Sequence, residues 1–277
     1  MQTHGVEYID GVDVGDASTI TSSMFEGVDA VVHLVGIIQE GPGGQTFERI
    51  HVAGTRNVVA AATDAGVGMR FVYMSAIGAS ANSAAKYSRT KFEAEEIVRH
   101  SGLPYTIFRP SLVIGPHGEF AAQMEGLVRH GGLPIPVPFP FIPVPGDGEN
   151  KFQPIWIDDL LACLTESLTN ATAADHTYEV GGATQVTFND LLAGFATSLG
   201  VKKPFLHAPI PILRVAATVM EATMPKPPVT RDQLANLSVD NVTDSHAISD
   251  VFHVSPWPFS QMLEALYGSG ATKVPVG

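Results

Sequence analysis

Short apolar runs alternate with longer amphipathic stretches through the first part of the chain. Residues 29–35 and 70–75 are nearly uninterrupted apolar runs of strand length, a pattern typical of strands buried on both faces of a sheet. Residues 47–65 and 86–100 instead place apolar side chains at helical spacing, and a glycine follows each stretch. A further strand is predicted at 105–109. Strands that alternate with helices at this spacing predict a parallel sheet with helices on both faces.

Capping and turn residues place the elements at the two ends of this region. A short strand is predicted at 6–10, followed by a helix that Asp16 or Ser18 caps and that reaches Phe25. Alternating prolines at 133–145 exclude a helix and a central strand, so an extended loop is predicted there, either as a linker or as a wall facing a substrate. The C-terminal part predicts, in chain order, a strand at 152–157, a helix capped by Asp158 or Asp159, a strand at 177–180, a helix capped by Thr187 and ended by Gly200, and an apolar helix at 211–224.

These elements together predict an α/β fold with a doubly wound, Rossmann-like parallel sheet that lacks its first βαβ unit. The sheet domain is expected to comprise 1–130 with 152–180. A small C-terminal α/β subdomain is expected from 131–151 and 181–268, and helix 211–224 is expected to pack on it. Residues 269–277 are predicted to be a disordered tail.

Composition excludes several classes of function. The chain of 277 residues has 16 basic and 28 acidic side chains and a net charge of −12, without basic clusters, which argues against nucleic acid and anionic lipid as partners. The single cysteine, Cys163, excludes an internal disulfide and lies in an apolar helix where a buried, inert thiol is expected. The ten histidines lack metal-ligand spacing, so no metal site is predicted. The chain shows neither a signal-peptide pattern nor a transmembrane run, which favours a cytoplasmic location.

Tyr87 and Lys91 in the run YSRTK carry the candidate chemistry. Their spacing places both side chains on one face of a helix, one turn apart. A neighbouring ammonium would lower the pKa of the phenol and make it a proton donor or acceptor for carbinol and carbonyl groups. The alternative is an ordinary exposed helix pair, since the spacing alone is weak evidence.

Four segments occur in one order: VHLVG at 32–36, HVAGTRNVVAAA at 51–62, YSRTK at 87–91 and RPSLVIGP at 109–116. Together they resemble the extended and atypical short-chain dehydrogenase/reductase superfamily, which includes the NAD-dependent epimerases and dehydratases. Further along, FQPIWIDDL, YEVGG and TRDQLANLSVDN are most similar to the atypical group that contains the nucleotide-binding accessory subunit of respiratory complex I and its bacterial relatives.

The resemblance implies specific roles for individual residues. It implies Tyr87 as the catalytic acid/base, Lys91 as the residue that holds the nicotinamide ribose, and Ser75 as the catalytic serine. It also implies that the cofactor, NAD or NADP with NADPH favoured, contacts Asp13, Val14, His33, Leu34, Val35, Gly36, Tyr87, Lys91, Pro110, Ser111, Leu112 and Val113. Packing alone would select many of the same residues in the apolar strands.

The sequence departs from the family pattern in three places. Ser75 aligns one residue too early, and His51 stands where the family places a proton-relay asparagine, so a buried, hydrogen-bonded histidine is the alternative there. The sequence also contains no glycine-rich phosphate turn. In the family strand order, the absent unit occupies the centre of the sheet, so strand 6–10 would have no partner. We expect a start codon assigned too late, with about 45 to 60 residues preceding this segment.

Three functions are compatible with these features. The first is an oxidoreductase or epimerase acting on a small molecule through Tyr87. The second is a catalytically weak, NAD(P)H-binding structural or assembly subunit beside respiratory-complex subunits, peripheral at the inner face of a membrane and open to oligomerisation. The third is a truncated product that binds nucleotide poorly because the phosphate cradle is absent.

Overall fold

The computed structural model describes residues 5–66, 68–131, 140–224 and 227–268. Its centre is a parallel sheet of four strands in the order β1-β2-β3-β8. Smaller two-stranded pairings join β5 with β10, β4 with β7 and β6 with β9. The strands are β1 (Ala30–His33), β2 (Arg70–Met74), β3 (Tyr105–Pro110), β4 (Val113–Ile114), β5 (Ile142–Pro145), β6 (Lys151–Phe152), β7 (Ile155–Trp156), β8 (His176–Val180), β9 (Val186–Thr187) and β10 (Phe205–Ala208).

The register of the main sheet follows the predicted order of apolar runs. Val32 lies opposite Val72, and Val72 lies opposite Thr106 on the next strand. Ile107 of β3 then lies opposite Thr177 of β8. The prediction of neighbouring parallel strands is therefore confirmed, and their carboxyl ends lie along one edge of the sheet.

Helices cover both faces of this sheet. The helices are α1 (Gly54–Ala65), α2 (Lys86–Arg99), α3 (Glu119–His130), α4 (Ile157–Thr169), α5 (Phe188–Ser198), α6 (Ile210–Thr223), α7 (Arg231–Asn236), α8 (Ala247–Asp250) and α9 (Phe259–Tyr267). Buried residues of α1 and α2 pack with Phe71 and Tyr73. Those of α4 and α8 pack with Val72 and Phe108 on the other face. Successive residues of a strand point to opposite faces, which is why one strand supplies both cores.

A separate core lies in the C-terminal half of the chain. Leu191, Leu192 and Phe195 of α5 are fully buried against α3 and α9, and Ile114 and Trp156 are buried in the same core. This core contains the strand pair of β5 and β10. β5 falls in the proline-rich segment, where an extended loop was predicted. It pairs with β10 alone, which is compatible with proline because such a strand needs no donor on its other side. Residues 132–139 of that segment lie outside the described residues.

The predictions for the first 35 residues are wrong in part. Residues 6–10 form no strand, and Tyr8 is 71% exposed, because no described strand pairs with them. In place of one helix, Asp16 caps a short 3-10 turn (Ala17–Thr19), and a second turn (Ser22–Phe25) follows. The apolar run 29–35 is also not buried on both faces. Among the described strands β1 pairs with β2 alone, so Val32 remains 41% exposed at the edge of the sheet.

Two predictions for the C-terminal half need correction. Trp156, and not Asp158 or Asp159, occupies the N-cap of α4, because the helix starts earlier and places both aspartates in its first turn. The predicted strand 152–157 is two short strands, β6 and β7. Helix α6 packs on α7 of the subdomain, as predicted, with Ala217 buried and Glu221 paired with Arg231, but the rest of its surface is mostly exposed. The predicted tail at 269–277 lies outside the described residues. By contrast, Thr187 caps α5 through a capping box, and Cys163 is fully buried, as predicted.

None of the helices in the described ranges has the length and apolar composition needed to cross a bilayer.

Candidate nucleotide and active site at the carboxyl edge of the sheet

Lys91 is the centre of the candidate site. Its side chain is 4% exposed and reaches from α2 to the last residue of β2, where Nζ donates a hydrogen bond of 2.8 Å to the Met74 carbonyl. Nζ also lies 5.1 Å from the ring centre of Tyr73. Burial lowers the pKa of Lys91 to about 8, although the nearby Glu95 carboxylate acts in the opposite direction. A buried ammonium with one protein acceptor retains N–H groups for a ligand.

Tyr87 lies one turn before Lys91 and is half-buried between aromatic rings. Its ring makes edge-to-face contacts with Phe47 and His51, at centroid distances of 5.8 and 5.4 Å. Burial, and then the charge of Asp232, raise the pKa of Tyr87 to about 12. The expectation that Lys91 lowers this pKa is therefore wrong in this structure, because desolvation of the phenol dominates.

The VHLVG segment forms the floor beside Lys91. Gly36 lies in the loop after β1 and packs closely on two side chains of the site. A Cβ added to it would lie 3.1 Å from Lys91 Nζ and 3.5 Å from His51 Nε2. Leu34 and Val35 are 53% and 43% exposed, so the chain after β1 is accessible to a ligand. His33 points the other way: it is 4% exposed, and its Nε2 lies 3.1 Å from Thr55 Oγ1. A ligand would therefore meet His33 through its backbone.

His51 is a buried, hydrogen-bonded core residue, which was the predicted alternative to a relay role. Its Nδ1 lies 3.0 Å from Thr90 Oγ1, and its Nε2 contacts the backbone of Ile37. Burial and the charge of Lys91 lower the pKa of His51 to about 3, and the same two causes lower the pKa of His33 to about 4. Both imidazoles are neutral at physiological pH, so Lys91 is the cation of this cluster.

The Ser75 hydroxyl is hydrogen-bonded within a buried ion-pair network. Its hydroxyl donates a hydrogen bond of 2.5 Å to Glu95, which is fully buried. Glu95 also accepts two hydrogen bonds from Arg109 and one from Arg99. The serine proton is thus directed towards α2, and in this arrangement the hydroxyl is not offered as a donor to a substrate oxygen.

The segment after β3 is fixed by the C-terminal half of the chain. Pro110 ends β3, and its carbonyl accepts a hydrogen bond from Ile77 N–H. The Ser111 hydroxyl is 2.6 Å from Asn241 Oδ1, to which it donates. Leu112 and Val113 are half-buried beside it. These four residues adjoin the carboxyl edge of the sheet, where the resemblance implies a contact with the nicotinamide carboxamide.

Asp13 and Val14 make contacts with the helical segment that follows β1. The Asp13 carboxylate forms an ion pair with Arg49 and accepts from Gly15 N–H. The Val14 carbonyl accepts from Asn57 at 2.8 Å. Their contact with adenine remains a prediction, but the Asp13 carboxylate already has protein partners.

Three positioning residues were not singled out from the sequence, although all lie in the quoted run TRDQLANLSVDN. The carboxylate of Asp232 accepts hydrogen bonds from the backbone N–H groups of Lys86 (2.5 Å) and Tyr87 (3.2 Å), so it caps α2. One turn later, Asn236 Oδ1 accepts from the Ser88 hydroxyl at 3.0 Å. Asn241 holds Ser111. The capping box at Thr230 predicts a helix start here, but no local signal reveals its distant partner.

The donor set at Lys91 suits a ribose diol. The ammonium has N–H groups to donate, and the Tyr87 hydroxyl makes no hydrogen bond within the described ranges. The Tyr73 hydroxyl is fully buried and likewise lacks a partner there, beside the same ammonium. The residues present therefore fit the nicotinamide–ribose half of a dinucleotide. For the diphosphate, the sequence offers no glycine-rich turn.

Comparisons with known proteins support this assignment. Residues 1–127 match the family model described as NAD(P)H-binding. An NADPH-dependent quinone oxidoreductase from Escherichia coli, solved with NADPH, has the same fold, with a TM-score of 0.68 at 18% identity over 92% of this chain and 82% of that chain.

Two curated relatives from Arabidopsis thaliana are similar in sequence. One is the mitochondrial NADH dehydrogenase [ubiquinone] 1 alpha subcomplex subunit 9, 25% identical over 85% of this chain and 58% of that protein. The other is 3beta-hydroxysteroid-dehydrogenase/decarboxylase isoform 2, 24% identical over 92% of this chain and 50% of that protein. The chain thus spans only half to three-fifths of the length of these relatives. Residues 1–127 therefore carry the match to NAD(P)H-binding proteins, and the chain as a whole is similar in sequence to a mitochondrial NADH dehydrogenase subunit and to a 3beta-hydroxysteroid-dehydrogenase/decarboxylase.

Proposed function

We propose that the chain acts as an NAD(P)-dependent oxidoreductase, of the reductase, epimerase or dehydratase type, with Tyr87 as acid/base and Lys91 as its cofactor-binding partner. The observation that carries the proposal is the buried Lys91 ammonium, held on the Met74 carbonyl at the carboxyl edge of the sheet, one helical turn from Tyr87. A bound nicotinamide would supply the hydride-transfer chemistry.

The residues of the chain set the proton chemistry. With a pKa of about 12, Tyr87 stays protonated at neutral pH, so it is ready to donate a proton to a carbonyl oxygen. Lys91 binds hydroxyl groups of the ribose and holds a positive charge near the phenol. Phe47 and His51 pack on the Tyr87 ring, fix its orientation and exclude water from one side. This arrangement favours carbonyl reduction over alcohol oxidation at neutral pH.

A second function is favoured by one specific observation. The Ser75 hydroxyl is bound to Glu95, so the substrate oxygen would lack a second donor. A site that binds nucleotide but turns over slowly suits a structural or assembly subunit, and one relative of this chain is a named subunit of a mitochondrial NADH dehydrogenase. Under this proposal the partners are respiratory-complex subunits, and the exposed face of α6 provides a peripheral contact.

Replacement of the Tyr87 hydroxyl separates the two functions. NADPH and NADH are titrated into the wild type and Tyr87→Phe, with Tyr8→Phe as the matched control because Tyr8 is 71% exposed and far in sequence from Tyr87 and Lys91. NADPH oxidation is then followed with a panel of ketones and quinones. We expect Tyr87→Phe to bind nucleotide as the wild type does, with NADPH bound more tightly than NADH, and to lose about 100-fold or more in turnover.

Each outcome decides one function. Equal turnover of Tyr87→Phe and the wild type would exclude Tyr87 as the acid/base. Intact nucleotide binding and unchanged function of the Tyr87→Phe variant in cells would favour the structural role. If neither NADPH nor NADH binds, nucleotide binding requires a glycine-rich phosphate turn that this sequence does not contain, and both proposed functions are excluded for the chain as given.

A further inference from the structure

A large cleft adjoins the candidate site. It has a volume of about 800 Å³ and lies between the loop after β1, the start of α2, and the helices α6 and α7. Phe47 lines it and also contacts the Tyr87 ring. Asp232 lines it and accepts from Tyr87 N–H. The cleft therefore reaches the residues that surround the phenol.

Most charges on the wall of the cleft are paired with each other. Lys86 is 2.7 Å from Glu40, and Arg231 is 2.7 Å from Glu221. The Asp232 carboxylate is occupied by the backbone N–H groups at the start of α2. The two ion pairs are neutral, and the Asp232 charge is stabilised by the helix N-terminus, so none of these groups offers a free cation to a ligand.

Two arginines remain without a carboxylate partner within the described ranges. Arg89 uses Nη1 to donate to the carbonyls of Ser83 and Ala84, which leaves its Nε–H and Nη2–H groups for a ligand. The Arg214 guanidinium, on α6, has neither an ion pair nor a hydrogen bond within the described ranges. The chain as a whole carries −12, so two unpaired guanidinium groups on one cleft are a local excess of positive charge.

The rest of the wall is apolar. Phe47, Ala84, Met224, Pro227 and Ala235 line the cleft together with the two arginines. A guanidinium binds a carboxylate or a phosphate through paired hydrogen bonds, and an apolar wall favours a hydrocarbon or ring body.

We propose that this cleft is the substrate site and that it takes a molecule with an apolar body and a carboxylate or phosphate group, which Arg214 and Arg89 bind. The inference rests on the proposed function for its link to Tyr87. The anion site itself is independent of nucleotide binding.

The experiment measures binding of simple probes to the full chain without nucleotide, by ligand-observed NMR titration at low salt. The probes are phenyl phosphate and 3-phenylpropionate, which separate a phosphate from a carboxylate preference, and 3-phenylpropanol is the neutral analogue. The variants are Arg214→Gln and Arg89→Gln. Arg56→Gln is the matched control, because Arg56 is exposed on α1 and likewise lacks an ion pair among the described residues.

We expect the wild type to bind at least one anionic probe more tightly than the alcohol. Loss of a hydrogen bond to a charged group weakens binding by about tenfold or more, so Arg214→Gln should raise the Kd by that factor while Arg56→Gln changes it little. Arg214 is exposed, so its variant keeps the fold, which the dispersion of the protein spectrum verifies.

Equal binding of the alcohol and the anions, absence of binding to the wild type, or equal effects of Arg214→Gln and Arg56→Gln would overturn the anion site. A parallel NADPH titration distinguishes this result from failure of the proposed function. If the wild type binds the anionic probes but Tyr87→Phe turns over as fast as the wild type, the two proposals are separated. The anion site in the cleft is then supported, and Tyr87 is excluded as the acid/base.

Discussion

Asp232 provides the sharpest test of how the C-terminal half of the chain controls the candidate site. Its two carboxylate oxygens accept from Lys86 and Tyr87 N–H at the start of α2, across 146 and 145 residues of sequence. Removal of such a cap costs about 1 kcal/mol. The negative charge at a helix N-terminus contributes about 0.3–1 kcal/mol in addition.

Two substitutions separate these contributions. Asp232→Asn keeps an acceptor oxygen and removes the charge, so we expect it to lower the free energy of unfolding by about 0.3–1 kcal/mol. Asp232→Ala removes both, and we expect a loss of about 1–2 kcal/mol. The measurement is urea denaturation, with Asp10→Asn as the control because Asp10 is exposed and has neither a hydrogen bond nor an ion pair among the described residues.

The same charge raises the pKa of Tyr87, so Asp232→Asn should lower that pKa from its value of about 12. The phenol is followed by NMR of tyrosine labelled with carbon-13 at Cζ, and comparison with Tyr87→Phe identifies its signal among the six tyrosines. If the pKa stays unchanged in Asp232→Asn, the Asp232 charge does not reach the phenol. If Asp232→Ala is as stable as Asp10→Asn, Asp232 does not cap α2, and the proposed link between the two halves of the chain is refuted.

Two further predictions concern Lys91 and the packing of glycines. Lys91 has a pKa of about 8, so NADPH affinity should fall above that pH, and Lys91→Met should bind about tenfold or more weakly with no such pH dependence. In the unfolded chain the pKa of Lys91 is about 10.4. Between pH 8 and about 10.4 the unfolded state therefore binds the proton that the folded state has lost, so the free energy of unfolding of the wild type, relative to Lys91→Met, should rise with pH. A difference that stays constant over this pH range in urea titrations would contradict the lowered pKa. A methyl group at Gly182 would overlap the Pro154 carbonyl oxygen, so Gly182→Ala should lose about 1–3 kcal/mol of unfolding free energy. Gly126 lies within α3 with open space around it, so Gly126→Ala should gain about 0.5–1 kcal/mol, and equal melting temperatures for the two variants would contradict the packing argument.

Much of the sheet and part of the site could be predicted from local patterns. The runs that became β2 and β3 are apolar at their centres, with Phe71, Val72, Tyr73, Ile107 and Phe108 fully buried, and such runs are typical of strands that are covered on both faces. The helix of Tyr87 and Lys91 was predicted nearly to the residue, because its amphipathic spacing and terminal glycine are both local. The pattern of apolar residues did not reveal that β1 is an edge strand, because an apolar run predicts a strand whether or not a second strand pairs with its other side.

The sequence by itself determined the order of strands and helices and the spacing of Tyr87 and Lys91 on one face, because these properties depend on residues within a few positions of each other. Only the tertiary structure decided that Ser75 is bound to Glu95, that Asp232 caps α2, and that α6 is left exposed. The protonation of Tyr87 belongs to the same group, because the pKa of a side chain depends on its surroundings, and residues distant in the sequence supply them.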